Sequence, residues 1–272
     1  MFATKTQRQS NMKLDDVKKL HQKKYRTQLG YYLVEGEHLI LELQKALKIK
    51  DSFTYIKLYV TEEYQDWARQ LKTDFTISVI SAKQMAHISN TKTPQGAVAC
   101  VPLSNSSNSI NMHVINTLTN TEKDLPKQSE RCIYLHEVQD PGNLGTILRT
   151  LAWFGHFRLL LSPNSVDPFN PKVVRASMGA IFHVPIELEV GLSDLQKRFT
   201  KVAYLDMQGS KVNSQEFGYY DCYLFGNEAR GVPLETLSRI NADAFTIDGC
   251  GSIDSLNLAS AVNMCVYQLS LN

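Results

Sequence analysis

From Arg131 onward, short apolar runs alternate with amphipathic stretches, and this alternation constrains the fold more than any other feature of the chain. Strands are expected at Cys132–Leu135, Phe157–Leu161, Phe182–Leu188, Val202–Leu205, Cys222–Phe225 and Phe245–Ile247. Helices fit between several of them at Leu144–Phe154, Lys172–Met178, Ser193–Phe199 and Pro233–Ile240, with a last helix at Leu256–Leu269. Strand–helix alternation implies an α/β fold with a mostly parallel sheet and helices on both faces. Ligands of such sheets bind at the carboxyl ends of the strands.

A smaller α/β sandwich is expected ahead of it. Strands fit Tyr31–Val34, Thr54–Val60, Thr76–Ile80 and Ala97–Val101, and helices fit Glu37–Ala46, Glu62–Leu71 and Ala82–Ile88. Residues 104–129 are rich in Ser, Asn and Thr with no sustained apolar period, as a linker is. The division is therefore a first domain over 1–102, a linker over 103–129 and a second domain over 130–272.

Composition excludes several classes. Of 272 residues, 43% are hydrophobic and 21% charged, ordinary for a globular protein. No apolar run approaches the roughly 18 residues of a membrane span, and the polar, Lys-rich start does not resemble a secretory signal. Cysteines 100, 132, 222, 250 and 265 form no C-x-x-C pair, so they are expected as reduced core residues of a cytoplasmic protein. The seven histidines lack ligand spacing, and no metal is expected.

The net charge of +2 hides an asymmetry. Residues 1–30 carry eight cations (Lys5, Arg8, Lys13, Lys18, Lys19, Lys23, Lys24 and Arg26) against Asp15 and Asp16, a local +6, so the remainder sums to −4. Such a segment suits a polyanion through counterion release; a solvated helix face is the alternative.

Three turns carry the chemistry. In Asp140-Pro-Gly-Asn-Leu-Gly-Thr-Ile-Leu-Arg149, Asn143 can cap a helix or bond a neighbouring loop, Gly145 admits a close backbone, and Arg149 follows one helical turn later. A permanent cation there suits a phosphate or carboxylate, although an Arg paired with a surface carboxylate would look the same. The second turn, Gly226-Asn-Glu-Ala-Arg-Gly231, opens toward Val232 and Pro233, with Glu228 as its carboxylate; a plain βα loop is its alternative. The third leads from Phe245-Thr-Ile247 to Ser255-Leu-Asn257, with Ser255 as N-cap candidate.

Together, in this order over some 115 residues, the turns resemble the signature motifs of the SpoU (TrmH-type) RNA 2′-O-ribose methyltransferases of the SPOUT superfamily. Asn143, Gly145 and Arg149 match N-x-G-x-x-x-R, and the later segments match G-x-E-x-x-G and S-L-N. The resemblance implies a deep C-terminal trefoil knot whose loops hold S-adenosylmethionine in a bent shape. Gly226, Ile247 and Leu256 would contact it mainly through backbone, while Leu224, Glu228, Gly231, Ser255 and Asn257 would shape the pocket. Arg149, Asn143 and Glu228 are the expected catalytic group. A guanidinium stays protonated in proteins and is a poor base, so Arg149 is expected to position the ribose and stabilise developing alkoxide charge. Two positions depart from the family pattern: I-P-M reads Ile247-Asp248-Gly249, and Ala259 stands where a small hydroxyl residue is usual.

Asn170-Pro-Lys-Val-Val-Arg-Ala-Ser-Met-Gly179 also fits the family, with Lys172 and Arg175 as phosphate contacts or surface ion pairs. Residues 24–36 and Pro94-Gln-Gly-Ala-Val-Ala99 resemble the family's ribosomal-protein-like substrate domain, which implies structured RNA as partner with Lys18, Lys19, Lys23, Lys24 and Arg26 against it. The resemblance further implies a homodimer and methylation of 23S ribosomal RNA, frequently at guanosine; transfer RNA and a non-catalytic RNA-binding protein are the alternatives. Ile247-Asp-Gly-Cys-Gly251 imitates a Rossmann methyltransferase turn, but only 21 residues follow it. A dinucleotide oxidoreductase lacks its G-x-G-x-x-G turn here.

Overall fold

The computed structural model describes residues 12–48, 56–73, 75–103, 130–237 and 240–271. The expected linker at 104–129, residues 54 and 55 of an expected strand, and the cations Lys5 and Arg8 lie outside them. The chain divides into two compact units, Met1–Asn105 with Phe169–Arg175, and Ser106–Pro168 with Ala176–Asn272.

The first unit is built on a four-stranded sheet in the order β1 (Tyr31–Glu35), β4 (Ala97–Pro102), β2 (Lys57–Val60), β3 (Thr76–Val79). β4 runs antiparallel to both neighbours, whereas β2 and β3 are parallel. The first five residues of β4 are all buried, the signature of a strand covered on both faces. Helices Leu14–Lys19, with its C-cap Leu20, and Ala82–Ile88 supply Val17, Leu20, Met85 and Ile88 to a core shared with Leu33, Tyr59, Val98 and Cys100. The second of these helices begins at a capping box: Gln84 N–H donates to Ser81 Oγ at 3.2 Å, and Ser81 N–H to Gln84 Oε1 at 2.9 Å.

The second unit carries a six-stranded sheet in which every pairing is parallel, in the order β10 (Ala242–Thr246), β8 (Val202–Lys211), β9 (Cys222–Phe225), β5 (Arg131–Leu135), β6 (Phe157–Leu161), β7 (Ile186–Glu187). Central β9 is buried throughout and β5 at four of five positions, consistent with their unbroken apolar sequences. Tyr134, Leu160, Leu195, Val202, Leu224 and Leu237 form the core on one face. Among the described residues no helix is long and apolar enough to cross a membrane.

Three expectations need correction. The apolar run Phe182–Leu188 is not one strand: Ala180–Phe182 is a 3-10 turn that follows Gly179 at φ +92°, and only Ile186 and Glu187 pair in the sheet. β8 runs six residues beyond Leu205, because its register against β10 slips between Ala244 and Phe245 and residues 205–209 bulge out. Cys250 is exposed, unlike the other four cysteines. Burial pushes the Cys132 thiol up to about 11 and the Cys222 thiol well above its ordinary value, so both serve as packing rather than as nucleophiles.

Candidate active site

From β5 the chain steps outward through β6 to β7, then returns to place β8, β9 and β10 on the opposite side. The order reverses between β5 and β9, and connections leaving a parallel sheet at such a point diverge and open a crevice. A cleft of about 810 Å³ lies there, lined by Gln139, Asp140 and Asn143 after β5, by 225–232 at the end of β9, by Leu205 of β8, and by residues 255–258 and Ala261.

The helix after β5 spans Pro141–Phe154 and is capped by Asp140, whose carboxylate accepts from Asn143 N–H at 2.7 Å; Pro141 takes the first position, where no donor is needed. Asn143 therefore lies in the first turn, not at the cap, and its amide is free to reach across the cleft. Its Nδ2 donates to Glu228 Oε1 at 3.3 Å, and its Oδ1 accepts from Asn257 Nδ2 at 2.9 Å. Glu228 also receives Gln139 N–H at 3.2 and 3.3 Å and Asp140 N–H at 3.3 Å. Asn257, rather than Ser255, caps the helix Leu258–Ser270 by accepting from Ser260 N–H at 3.2 Å. One polar relay thus joins all three motif turns.

Two glycines are required by close approach. A Cβ on Gly145 would stand 2.4 Å from Ala176 Cβ and 2.9 Å from its carbonyl carbon, so this helix packs backbone against the turn at 176–177. On Gly226 it would lie 2.3 Å from the Gly231 carbonyl carbon and 2.6 Å from Val232 N. That contact follows from the tight pairing of Asn227 and Gly231, which exchange backbone hydrogen bonds at 2.9 Å each.

Of the expected site residues, Asn143, Gly226, Glu228, Gly231, Ser255, Leu256 and Asn257 line the cleft. Leu224 sits wholly buried in β9 and supports the wall from behind. Ile247, half-buried beyond β10, does not line it. Neither does Arg149, which is exposed on its helix and makes no hydrogen bond or ion pair to the described residues, while Gly145 one turn earlier is buried. Lys172 is exposed, and Arg175 is half-buried with Nη1 unpartnered among the described residues. In the first unit Lys18, Lys19, Lys23 and Lys24 are exposed; Lys19 pairs with Asp16 at 2.8 Å, and Lys24 lies 5.7 Å from the Tyr25 ring centre. Arg26 departs from its expected role as an RNA contact. It is 2% exposed, and its guanidinium donates to Leu20 O at 2.9 Å, so it braces the fold.

Asn227 was not anticipated. Only 7% exposed, it donates Nδ2 to Glu137 O at 2.7 Å and accepts Ala229 and Arg230 N–H at 3.0 Å each, which sets the turn. The signal was present: Asn after Gly at a strand end is a side-chain-stabilised turn. No group of three or more His, Cys, Asp or Glu side chains among the described residues is placed to hold a metal ion.

Comparisons with known proteins fit this geometry. The profile of an MRM3-like substrate binding domain matches residues 11–99. The 23S rRNA (guanosine(2553)-2′-O)-methyltransferase RlmP of Bacillus subtilis is 28% identical over 264 residues, covering 95% of this chain and 96% of that protein. An AdoMet-bound rRNA methyltransferase from Sinorhizobium meliloti superposes with TM-score 0.73 at 26% identity, covering 96% of this chain and 94% of its own. The SpoU methyltransferase AviRb of Streptomyces viridochromogenes shares the fold with TM-score 0.77 at 20% identity, over 96% and 97% of the two chains. The profile of the SpoU rRNA Methylase family matches residues 130–267, the stretch that holds the whole cleft, and the chain belongs to that family.

Proposed function

We propose that this protein transfers a methyl group from S-adenosylmethionine to a ribose 2′-oxygen of structured RNA, with a guanosine of 23S ribosomal RNA as the target. The observation that carries the reading is the relay of Glu228, Asn143 and Asn257, which draws three distant turns around one cleft at the switch point of a parallel sheet. The cleft's chemistry suits the donor: Leu205, Phe225 and Leu256 offer apolar wall, and Asp140 and Glu228 offer carboxylates near a cationic ligand. The trefoil knot belongs to the same reading, supported by the convergence of the loops at 139–143, 226–232 and 255–258.

S-adenosylmethionine supplies an activated sulfonium methyl, so the protein's own work is alignment and charge. Arg149 would hold the ribose and its phosphate and stabilise developing alkoxide charge, with the proton leaving to a phosphate oxygen or water. Because Arg149 does not line the cleft of its own chain, we infer a homodimer in which it reaches the partner's cofactor. Exposed apolar side chains support that inference: Trp153 is 84% exposed on one helix, and Met264 and Tyr267 are 48% and 55% exposed on the helix packed beside it. Exposed Lys18, Lys19, Lys23 and Lys24 would meet RNA phosphates. The name of the B. subtilis relative supports the choice of 23S RNA and guanosine. Five free cysteines fit a reducing cytoplasm.

The test is a map of 2′-O-methyl sites across total cellular RNA with and without the protein. Loss of one guanosine site in 23S RNA is expected. Loss of a transfer-RNA site instead would move the substrate and keep the chemistry, and an unchanged map overturns the reading.

A further inference from the structure

Glu137, two residues past the end of β5, is used by none of the motifs. Its φ of +49° lies in the left-handed region that a glutamate rarely adopts. Such a conformation persists where the surroundings over-determine it, and here they do. Glu137 N–H donates to Ser162 Oγ at 2.6 Å. Its carbonyl accepts from Asn227 Nδ2 at 2.7 Å and Gln139 Nε2 at 3.0 Å. Its carboxylate receives Asn164 Nδ2 at 3.3 Å on one oxygen and the Arg230 guanidinium on the other. One residue thus ties together the loops that follow three neighbouring strands, β9, β5 and β6.

Arg230 lies within the turn 226–231 and is the one cation among the described residues lining the cleft. An ion pair between two mobile surface chains contributes little, because ordering both costs as much as their attraction gains. This pair differs: Glu137 is fixed by bonds on its backbone and on its other oxygen, and its side chain is 23% exposed against 68% for Arg230. Arg230 docks on an anchor already in place.

We propose that Glu137 is a positioning residue that, through Arg230, holds the turn 226–231 in the shape that receives S-adenosylmethionine. The inference rests on the methyl-transfer reading and goes beyond it by assigning the pre-organisation of the cofactor wall to a residue outside the motifs. A pre-formed loop adds affinity by removing an ordering cost at binding.

Calorimetry with S-adenosylmethionine on the full chain tests it, using Glu137→Gly, Arg230→Ala and their double variant. Glycine accepts a positive φ without steric cost, so Glu137→Gly keeps or raises the melting temperature while Kd rises about tenfold. Arg230→Ala raises Kd to a similar degree, and the double variant adds little, because one interaction is lost in either case. Glu137→Gln, which keeps the acceptor and loses the charge, gives a smaller rise. Wild-type Kd in Glu137→Gly overturns the proposal. So does a Kd unchanged in Arg230→Ala with a raised KM for RNA, which would make Arg230 a substrate contact. A wild-type chain that binds no S-adenosylmethionine overturns the functional reading as well, which separates the two failures.

Discussion

In the first unit β4 runs against both β1 and β2, so the turn that enters it, at Gln95 and Gly96, arrives among the carboxyl ends of its neighbours. There Gly36 N–H donates to Ala97 O at 3.0 Å and Thr61 N–H to Gly96 O at 2.9 Å. A Cβ on Gly96 would stand 2.7 Å from Thr61 Oγ1 and 2.8 Å from the Tyr64 ring, so the crevice position is filled by chain. In the second unit no strand returns between β5 and β9, their connections diverge, and a cleft of about 810 Å³ stays open. Both sheets are α/β by sequence pattern. One reversed strand closes the first, and a wholly parallel order leaves a site in the second.

If chemistry belongs to the open sheet, its variants should lose turnover or cofactor while RNA affinity survives. Arg149→Ala is expected to lower methyl transfer about 10²- to 10³-fold, roughly 3–4 kcal/mol of barrier, with S-adenosylmethionine affinity unchanged by calorimetry. Unchanged turnover would remove Arg149 from the mechanism. Gly226→Ala forces a methyl group into the backbone of Gly231 and Val232, neither of which has a flexible end to yield. Overpacking of this kind costs about 1–3 kcal/mol, so Kd for the donor should rise roughly 10- to 100-fold. Wild-type affinity would show that the donor does not sit against this wall.

The sealed unit should behave in the opposite way. Replacing Lys18 and Lys24 with alanine is expected to weaken RNA binding roughly three- to tenfold at physiological salt and to flatten the salt dependence by about two phosphate contacts. Turnover at saturating RNA should hold. A loss of turnover at saturation would break the division of labour between the units.

Much of this architecture is legible because it is local. Pro141 and Asp140 mark a helix start, and the unbroken apolar sequences of β5 and β9 mark inner strands of a parallel sheet. The errors arise where local pattern and tertiary setting disagree. Phe182–Leu188 has a strand's composition, but Gly179 turns the chain and burial of Ile181 and Phe182 is met in a 3-10 turn. The Ser255 cap fails because Asn257 reaches both Ser260 N–H and Asn143. The site itself is non-local: its relay spans 85 and 114 positions, distances over which neither periodicity nor capping carries information. The placing of the turns at strand ends and the family resemblance point to that meeting, but neither bears on Glu137, whose role depends on a backbone conformation with no sequence signature.

The smallest expected effect compares the two units by pH. His21 belongs to the sealed unit and His136 stands at the carboxyl end of β5 beside the open crevice. Burial holds both imidazoles below the ordinary histidine value, and each Nδ1 is buried without a partner among the described residues. His21 Nε2–H donates to Ile88 O at 2.8 Å, which only partly offsets the burial. In the unfolded chain both titrate near about 6.5. Between that value and the lower folded one the unfolded state binds more protons, so this contribution to stability is complete above about pH 6.5 and is lost as pH falls through the folded pKa. A melting scan from about pH 8 to about pH 5 should therefore show an acid limb that His21→Asn and His136→Asn each reduce. A His136→Asn variant that leaves the limb unchanged would mean that water entering the crevice already solvates the imidazolium, and that the open end of the parallel sheet is wetter than the buried Nδ1 of His136 implies.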